Sequence, residues 1–460
     1  MDAERKKRNR IIRLVITEIF MVIMIIALVI VATFALTGWR VGKDLGREQS
    51  ALVHIATIPS GATVEIDGAT ISSHTEVNRM LPGGEHTIKL TKDGFDSWEK
   101  TVSVEPGWLL RLRYPRLFRQ DRTPELIQKT NPLFLHYSPD RTALLYAESK
   151  TTWRLLSIRG DRLPEPKAIN VEAFISADTT IDQITWGDNN KLLVKTHSAD
   201  KISWFVINLE DVKRSVNLTS EYGLNFTELK LVNNSADRLV GVENGNLREV
   251  NLSSSVSKVL LSNIKSFDLD GTNLSYVATT STGKHLIGTY KLGEESGVTV
   301  SEFTTSSLAS VLTTYYGEKY LATIVDDNFT VYKAENLPSS KETFKMQEIF
   351  TEKLSFTSNS VSVNISGQFI TIKNGANLAI FYTELSLLHQ YVAPSNQSWW
   401  LDDSMLTTVK DGKLFVWDFD GTNRRELISS AAKSAPAVVS ANNHYLYYLS
   451  ETGLTRERVD

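Results

Sequence analysis

The sequence predicts an all-β ectodomain carried on a single N-terminal transmembrane helix, with a small β-domain followed by a β-propeller of eight, alternatively seven, blades. Three observations predict it. Residues Ile19 to Leu36 read IFMVIMIIALVIVATFAL without a charge. From Val53 onward the chain alternates apolar and polar residues in short runs broken by turn residues. From about residue 120, four-strand patterns recur every 35 to 50 residues.

The apolar run comes first. At about 1.5 Å per residue, a helix from Ile19 to Trp39 covers roughly the 30 Å hydrocarbon core of a bilayer. Arg5, Lys6, Lys7, Arg8, Arg10 and Arg13 precede it, whereas Arg40, Lys43 and Arg47 after it are interspersed with Asp44 and Glu48. The positive-inside bias therefore predicts a basic cytoplasmic tail over 1–18, a membrane helix over 19–39 acting as a signal anchor, and everything after a linker at 40–50 outside the cytoplasm. A cleaved signal peptide fits less well, because its apolar region is shorter and the small-residue site at 35–38 is poor. The expected partner of 19–39 is the lipid bilayer.

Composition narrows the function. The net charge of −3, with the densest cationic block in the tail, argues against nucleic-acid binding. There is no cysteine in 460 residues, which excludes disulfides, thiolate metal sites and cysteine nucleophiles and favours a bacterial envelope over a eukaryotic secretory route. The Asn-x-Ser/Thr triplets expected by chance in such an Asn-, Ser- and Thr-rich chain do not change that reading.

In the small domain, HIATI, ProSerGlyAla at 59–62, TVEI and AspGly at 67–68 read as strand and hairpin chemistry. HTIKL at 86–90, LysAspGly at 92–94 and TVSV at 101–104 follow in the same manner. With Pro59, Gly61, Ala62, Asp67, Gly68, Pro82, Gly84, Gly94 and Phe95 in this order, residues 51–115 resemble the PEGA domain. The resemblance implies a small β-sandwich of extracytoplasmic proteins with no catalytic residues, serving as a spacer or contact module. Ser60 stands where that family has Glu, and Phe95 where Tyr is common. A final strand over 109–119 puts Leu110, Leu112 and Tyr114 on one face and Arg111 and Arg113 on the other. With Arg116 and Arg119, these arginines are candidate contacts for anionic lipid or wall polymer, against the plainer reading of a solvated basic edge.

The segment from 120 to 460 is a repeat array. WWLDDSMLTTVKDGKLFVWDFDGTNRREL from Trp399 is the clearest copy, and further copies begin at Phe134, Ile184, Leu229, Ile264, Leu312, Val361 and Ala437. The last has room for three strands, so ProGluLeuIleGlnLys at 124–129 is expected to supply the fourth and close the ring. The array resembles WD40-like and TolB-like propellers, although consistent Trp-Asp and Gly-His pairs are missing.

Candidate chemistry is sparse. AspLeuAspGlyThrAsn at 268–273 and AspPheAspGlyThrAsn at 418–423 begin like a calcium loop but lack its later acidic ligand and occupy different turns of their repeats, which points to turn chemistry. The eight histidines show no zinc spacing, and no GxSxG, phosphate-loop or GxGxxG motif occurs. No catalytic residue, cofactor or metal is expected. Among the tryptophans, Trp399 and Trp400 are candidate ligand contacts, because adjacent strand residues face opposite sides and one of the pair would be outward. These readings converge on a membrane-anchored extracytoplasmic scaffold whose propeller binds envelope protein or glycan. A propeller-type polysaccharide hydrolase or lyase and a TolB-like assembly component are the alternatives. Convergent carboxylates in a deep axial pocket would favour the enzyme.

Overall fold

The computed structural model describes residues 17–29, 39–41 and 47–460, apart from 177, 189, 200, 224, 255, 340, 359, 433 and 434. Residues 1–16 of the expected basic tail and 30–38 of the expected membrane helix lie outside the described residues. The chain divides into two compact units, one ending at Asp121 and the other spanning Arg122–Val459.

Residues 17–29 form a helix whose side chains are all exposed. Among the described residues, no helix is long and apolar enough to cross a membrane. Trp39, expected to end the membrane helix, lies instead in strand β1 (Trp39–Val41), where it pairs with Gln49 of β2 (Arg47–Ile55). A residue in a strand ladder cannot also belong to a helix, so the upper bound of that helix is corrected, and much of the linker expected at 40–50 is strand.

The smaller unit continues with β3 (Thr63–Ile66), β4 (Ala69–His74), β5 (Val77–Pro82), β6 (Gly84–Thr91), β7 (Trp98–Val104) and β8 (Leu109–Leu112). One sheet runs β4-β3-β6-β7; the other runs β1-β2-β5, with β8 parallel to β2. The alternation seen in sequence puts Ala51, Val53, Ile55, Val64, Ile88, Leu90, Trp98, Leu110 and Leu112 inside. The last strand stops at Leu112 rather than running to Arg119, because Pro115 has no N–H for a ladder. Beyond it only isolated bridges remain, Ile58 with Arg116 and Phe95 with Arg119.

In the larger unit, seven four-stranded antiparallel sheets occupy residues 135–170, 180–217, 228–261, 264–303, 308–353, 361–392 and 399–428. The eighth takes three strands from 438–458 and its fourth, β9 (Glu125–Gln128), from the start of the unit. The middle strands are mostly apolar runs, such as Leu378–Tyr382 and, with one buried threonine, Phe369–Ile372, buried on both faces by neighbouring sheets. Outer strands such as Val256–Leu261 and Gln347–Lys353 face water. Hairpins turn at Asn244–Gly245 and Asp411–Gly412, with positive φ at both positions as such two-residue turns require.

Consecutive sheets share apolar cores. Trp153 and Ile169 of the first sheet pack with Val194 and Phe205 of the second. Trp204 of the second meets Leu229 of the third, and Val240 of the third meets Phe267 of the fourth. Val277 packs with Leu308, and Phe329 with Phe381, joining the fourth, fifth and sixth sheets. Phe369 of the sixth stacks on Trp400 of the seventh, whose Leu401 carbonyl accepts a hydrogen bond from Val439 of the eighth. Tyr447 and Leu454 of the eighth then pack on Leu144 and Tyr146 of the first. The arrangement is that of a β-propeller.

Candidate functional site

The first strands of the third to sixth sheets line a cleft of about 410 Å³. Strand alternation builds it. In the third sheet Leu229 and Leu231 are buried in the core while Lys230 between them points into the cleft. In the fourth, Phe267 is buried while Asp268 and Asp270 line the opening. Thr313 and Thr314 come from the fifth sheet, and Ser362, Asn364, Ile365 and Ser366 from the sixth.

Lys230 Nζ donates to Asp268 Oδ1 at 2.9 Å and to the Phe267 carbonyl at 3.0 Å, and lies 3.3 Å from Glu228 Oε1. Burial pulls the Lys230 ammonium down, but the two carboxylates outweigh it, so its pKa rises and it stays charged. Asp268 Oδ2 accepts from the backbone N–H of Leu312 at 3.1 Å. Asp270 Oδ2 accepts from the Thr314 hydroxyl and lies 3.7 Å from Lys319 Nζ. Both carboxylates therefore reach from the fourth sheet to the fifth.

The first turns of the fifth and sixth sheets present two large side chains to solvent: Tyr316, two positions after the cleft-lining Thr314, is 74% exposed, and Ile365, which lines the cleft, 61%. Tyr316 sits at φ 48°, a left-handed conformation that costs a bulky residue free energy and that the neighbouring Gly317 adopts freely. Its ring lies 4.5 Å from that of Tyr315, whose hydroxyl donates to Glu384 at 3.2 Å. Burial first, and the Glu384 carboxylate second, push the Tyr315 phenol up, so it remains a donor. Gly367 closes the turn of the sixth sheet so near the fifth that a Cβ there would stand 2.6 Å from the Thr314 carbonyl oxygen. A second cavity, of about 750 Å³, opens by the first turns of the first and second sheets. There Asp140 is lowered: burial pushes its pKa up, and the hydroxyls of Ser138 and Thr142 more than reverse this.

The residues expected from sequence fall elsewhere. Trp399 and Trp400 are both half-buried, neither fully outward. The Trp400 ring stacks on Phe369 at 5.4 Å, and its carbonyl accepts from Tyr137 at 2.9 Å, which is a packing role. Arg111 is half-buried on β8 and Arg113 is exposed. Arg119 pairs with Asp121 at 2.6 Å. Arg116 is only 2% exposed, so the expected basic edge is corrected at this position: the segment after Pro115 turns inward. Asp268 and Asp270, read from sequence as turn residues, line the cleft, whereas Asp418 Oδ2 accepts from Asn423 within its own turn. Sequence reasoning missed Lys230, Thr314, Tyr316, Asn364 and Ile365. The one signal was a bulky apolar residue in a first turn, where Asp, Asn and Gly are usual. Among the described residues, no group of three or more His, Asp or Glu is placed to hold a metal.

Residues 50–115 match the PEGA domain. No curated protein matches the chain. Among solved structures, the chain is similar to the β-propeller domain of Myceliophteria thermophila Cps50 (Swd1), at 10% identity and a TM-score of 0.41, covering 72% of this chain and 97% of that one. It is similar to the tricorn protease at 11% identity and a TM-score of 0.41, covering 75% of this chain and 38% of that one. The Porphyromonas gingivalis dipeptidyl peptidase 4 gives 9% identity and a TM-score of 0.46, with 68% of this chain and 55% of that one covered. The chain thus spans less than two thirds of either peptidase. These likenesses carry no argument about activity.

Proposed function

We propose that this is a membrane-anchored, extracytoplasmic binding protein of the bacterial envelope. An N-terminal anchor built on the apolar 19–36 run holds the PEGA domain and an eight-bladed propeller outside the cytoplasm, and the propeller presents the cleft of the third to sixth sheets to a glycan. The observation that carries the reading is Tyr316: an aromatic side chain held exposed at a costly φ, two positions along the chain from Thr314 in a cleft of hydroxyl, amide, carboxylate and ammonium groups. Polar groups that hydrogen-bond hydroxyls, flanked by a ring that stacks on a sugar face, are the chemistry of carbohydrate binding.

A hydrolase would need a carboxyl free to exchange protons and a second one near it. Asp268 and Asp270 are each held by an N–H or O–H donor and face a lysine ammonium, which favours binding over turnover. The test is retention of envelope glycan fractions by the immobilised full chain, compared with Tyr316→Ala and Asp270→Asn. Tyr316→Ala is expected to weaken retention about five- to tenfold, as loss of ~1 kcal/mol of ring stacking requires. Failure to retain any glycan, or equal retention by all three proteins, would sink the reading.

A further inference from the structure

The sheet of the smaller unit that carries β2 has one face in the core and the other only partly covered. On the partly covered face, Leu52 of β2 stands between Met80 of β5 and Leu109 of β8, its register partners on either side. Leu52 is 36% exposed, Leu109 40% and the adjoining Trp108 40%. The Trp108 carbonyl accepts from the Leu52 N–H at 2.8 Å, which holds its backbone beside this row. The next row along the same face is polar, with Asn78, His54 and Arg111 in register. Arg113 lies exposed just beyond.

The apolar row lies close to where the chain enters this sheet. Trp39 pairs with Gln49, three positions before Leu52, or about 10 Å along the strand. Because β1 runs antiparallel to β2, the chain enters β1 from the Leu52 side. The apolar 19–36 run ends three positions before Trp39, so the leucine and methionine of this row lie within a short reach of chain from it.

We propose that this face of the PEGA domain seats on the bilayer, with Leu52, Met80, Trp108 and Leu109 in the headgroup region and Arg111 and Arg113 toward anionic headgroups. Leucine and tryptophan beside arginine match what an interfacial surface uses. The committed occupant is lipid, because continuity with the anchor holds this face within reach of the membrane. The inference rests on the anchored reading above.

The absence of native cysteine allows the test on the full chain. Single Ile25→Cys, Leu52→Cys, Leu109→Cys and Ser103→Cys variants, checked for unchanged circular dichroism, would be labelled with a fluorophore. They would be reconstituted in phosphatidylglycerol–phosphatidylethanolamine vesicles containing headgroup-proximal doxyl lipid. Ser103 is exposed on β7, in the other sheet. Labels at 52 and 109 are expected to be quenched at least about twofold more than the label at 103. Quenching at 25 without quenching at 52 and 109 would overturn the seating and leave the anchor standing. No quenching at 25, 52 or 109 would overturn both, and equal quenching at 103 would overturn the seating as unselective. Should Leu52→Cys fail to fold, Met80→Cys reports the same row.

Discussion

Lys230 Nζ donates to Asp268 Oδ1 at 2.9 Å, joining the first strand of the third sheet to that of the fourth across 38 residues of chain. The same Asp268 accepts the Leu312 N–H with its other oxygen, so one carboxylate brackets three sheets. Beside the apolar cores that join the sheets, this polar bracket fixes how neighbouring first strands stand at the cleft.

Asp268→Ala is therefore expected to destabilise the larger unit by about 2 kcal/mol, the usual cost of removing a hydrogen bond to a charged group and leaving its donor unmet. Lys230→Met with Asp268→Leu is expected to cost less than the sum of the single changes, by ~1 kcal/mol, because neither member of this pair is left behind without the other. Urea unfolding of the single and double variants checks both. Additive losses would contradict the bracket.

The smaller unit carries a proton-linked pair. His86 Nδ1 lies 2.6 Å from Asp67 Oδ2, and its Nε2 lies 3.0 Å from the Pro82 carbonyl oxygen. Burial pulls His86 down, but these two acceptors outweigh it and raise its pKa above 6.5. The His86 hydrogen bond, with the Thr87 N–H, holds Asp67 below 3.8. A raised histidine stabilises fully below its unfolded value near 6.5 and loses that contribution as pH rises through the folded value. A lowered aspartate contributes above 3.8 and loses it as pH falls through its own folded value. The pair is thus expected to stabilise most between these limits. In an NMR titration, Asp67→Asn should move the His86 midpoint down; an unmoved midpoint would show that Asp67 does not set it.

Gly453 stands at φ 143°, and a Cβ there would lie 1.8 Å from the Gln128 carbonyl oxygen of β9. Gly453→Ala is expected to push β9 off the eighth sheet, at a cost of about 2 kcal/mol or more. The Glu125–Arg456 pair at 2.7 Å would be lost with it. Limited trypsin digestion should then cut at Lys129 faster than in the parent chain. Unchanged digestion would mean that the seam tolerates the methyl group.

Tyr316→Gly is expected to raise stability by about 1 kcal/mol, since glycine adopts positive φ without the side-chain clash, while lowering glycan retention. Thermal unfolding and the retention assay together read the exchange of stability for binding. A variant that gains stability and keeps its retention would remove Tyr316 from the site.

Two identical turn patterns show where sequence reading stops. AspLeuAspGlyThrAsn and AspPheAspGlyThrAsn are both legible as turns, and both turn where expected, before a second and a fourth strand. Only the first lies on a cleft-lining strand, so its aspartates reach the next sheet while Asp418 bonds inside its own turn. Trp399 and Trp400 stood out by size and rarity, yet Trp400 is consumed in a stack with Phe369, a partner that no local pattern announces.

The sequence by itself determined most of the strands and turns and the strand at 124–129 that closes the last sheet, while leaving eight or seven blades open, because alternation and positive-φ turn residues act over a few positions. The tertiary structure alone decided that Lys230, Asp268, Thr314 and Ile365 share one cleft and that Leu52, Met80 and Leu109 share one partly covered face. Such neighbours lie tens of residues apart, and only the packing of sheets or the register of strands brings them together.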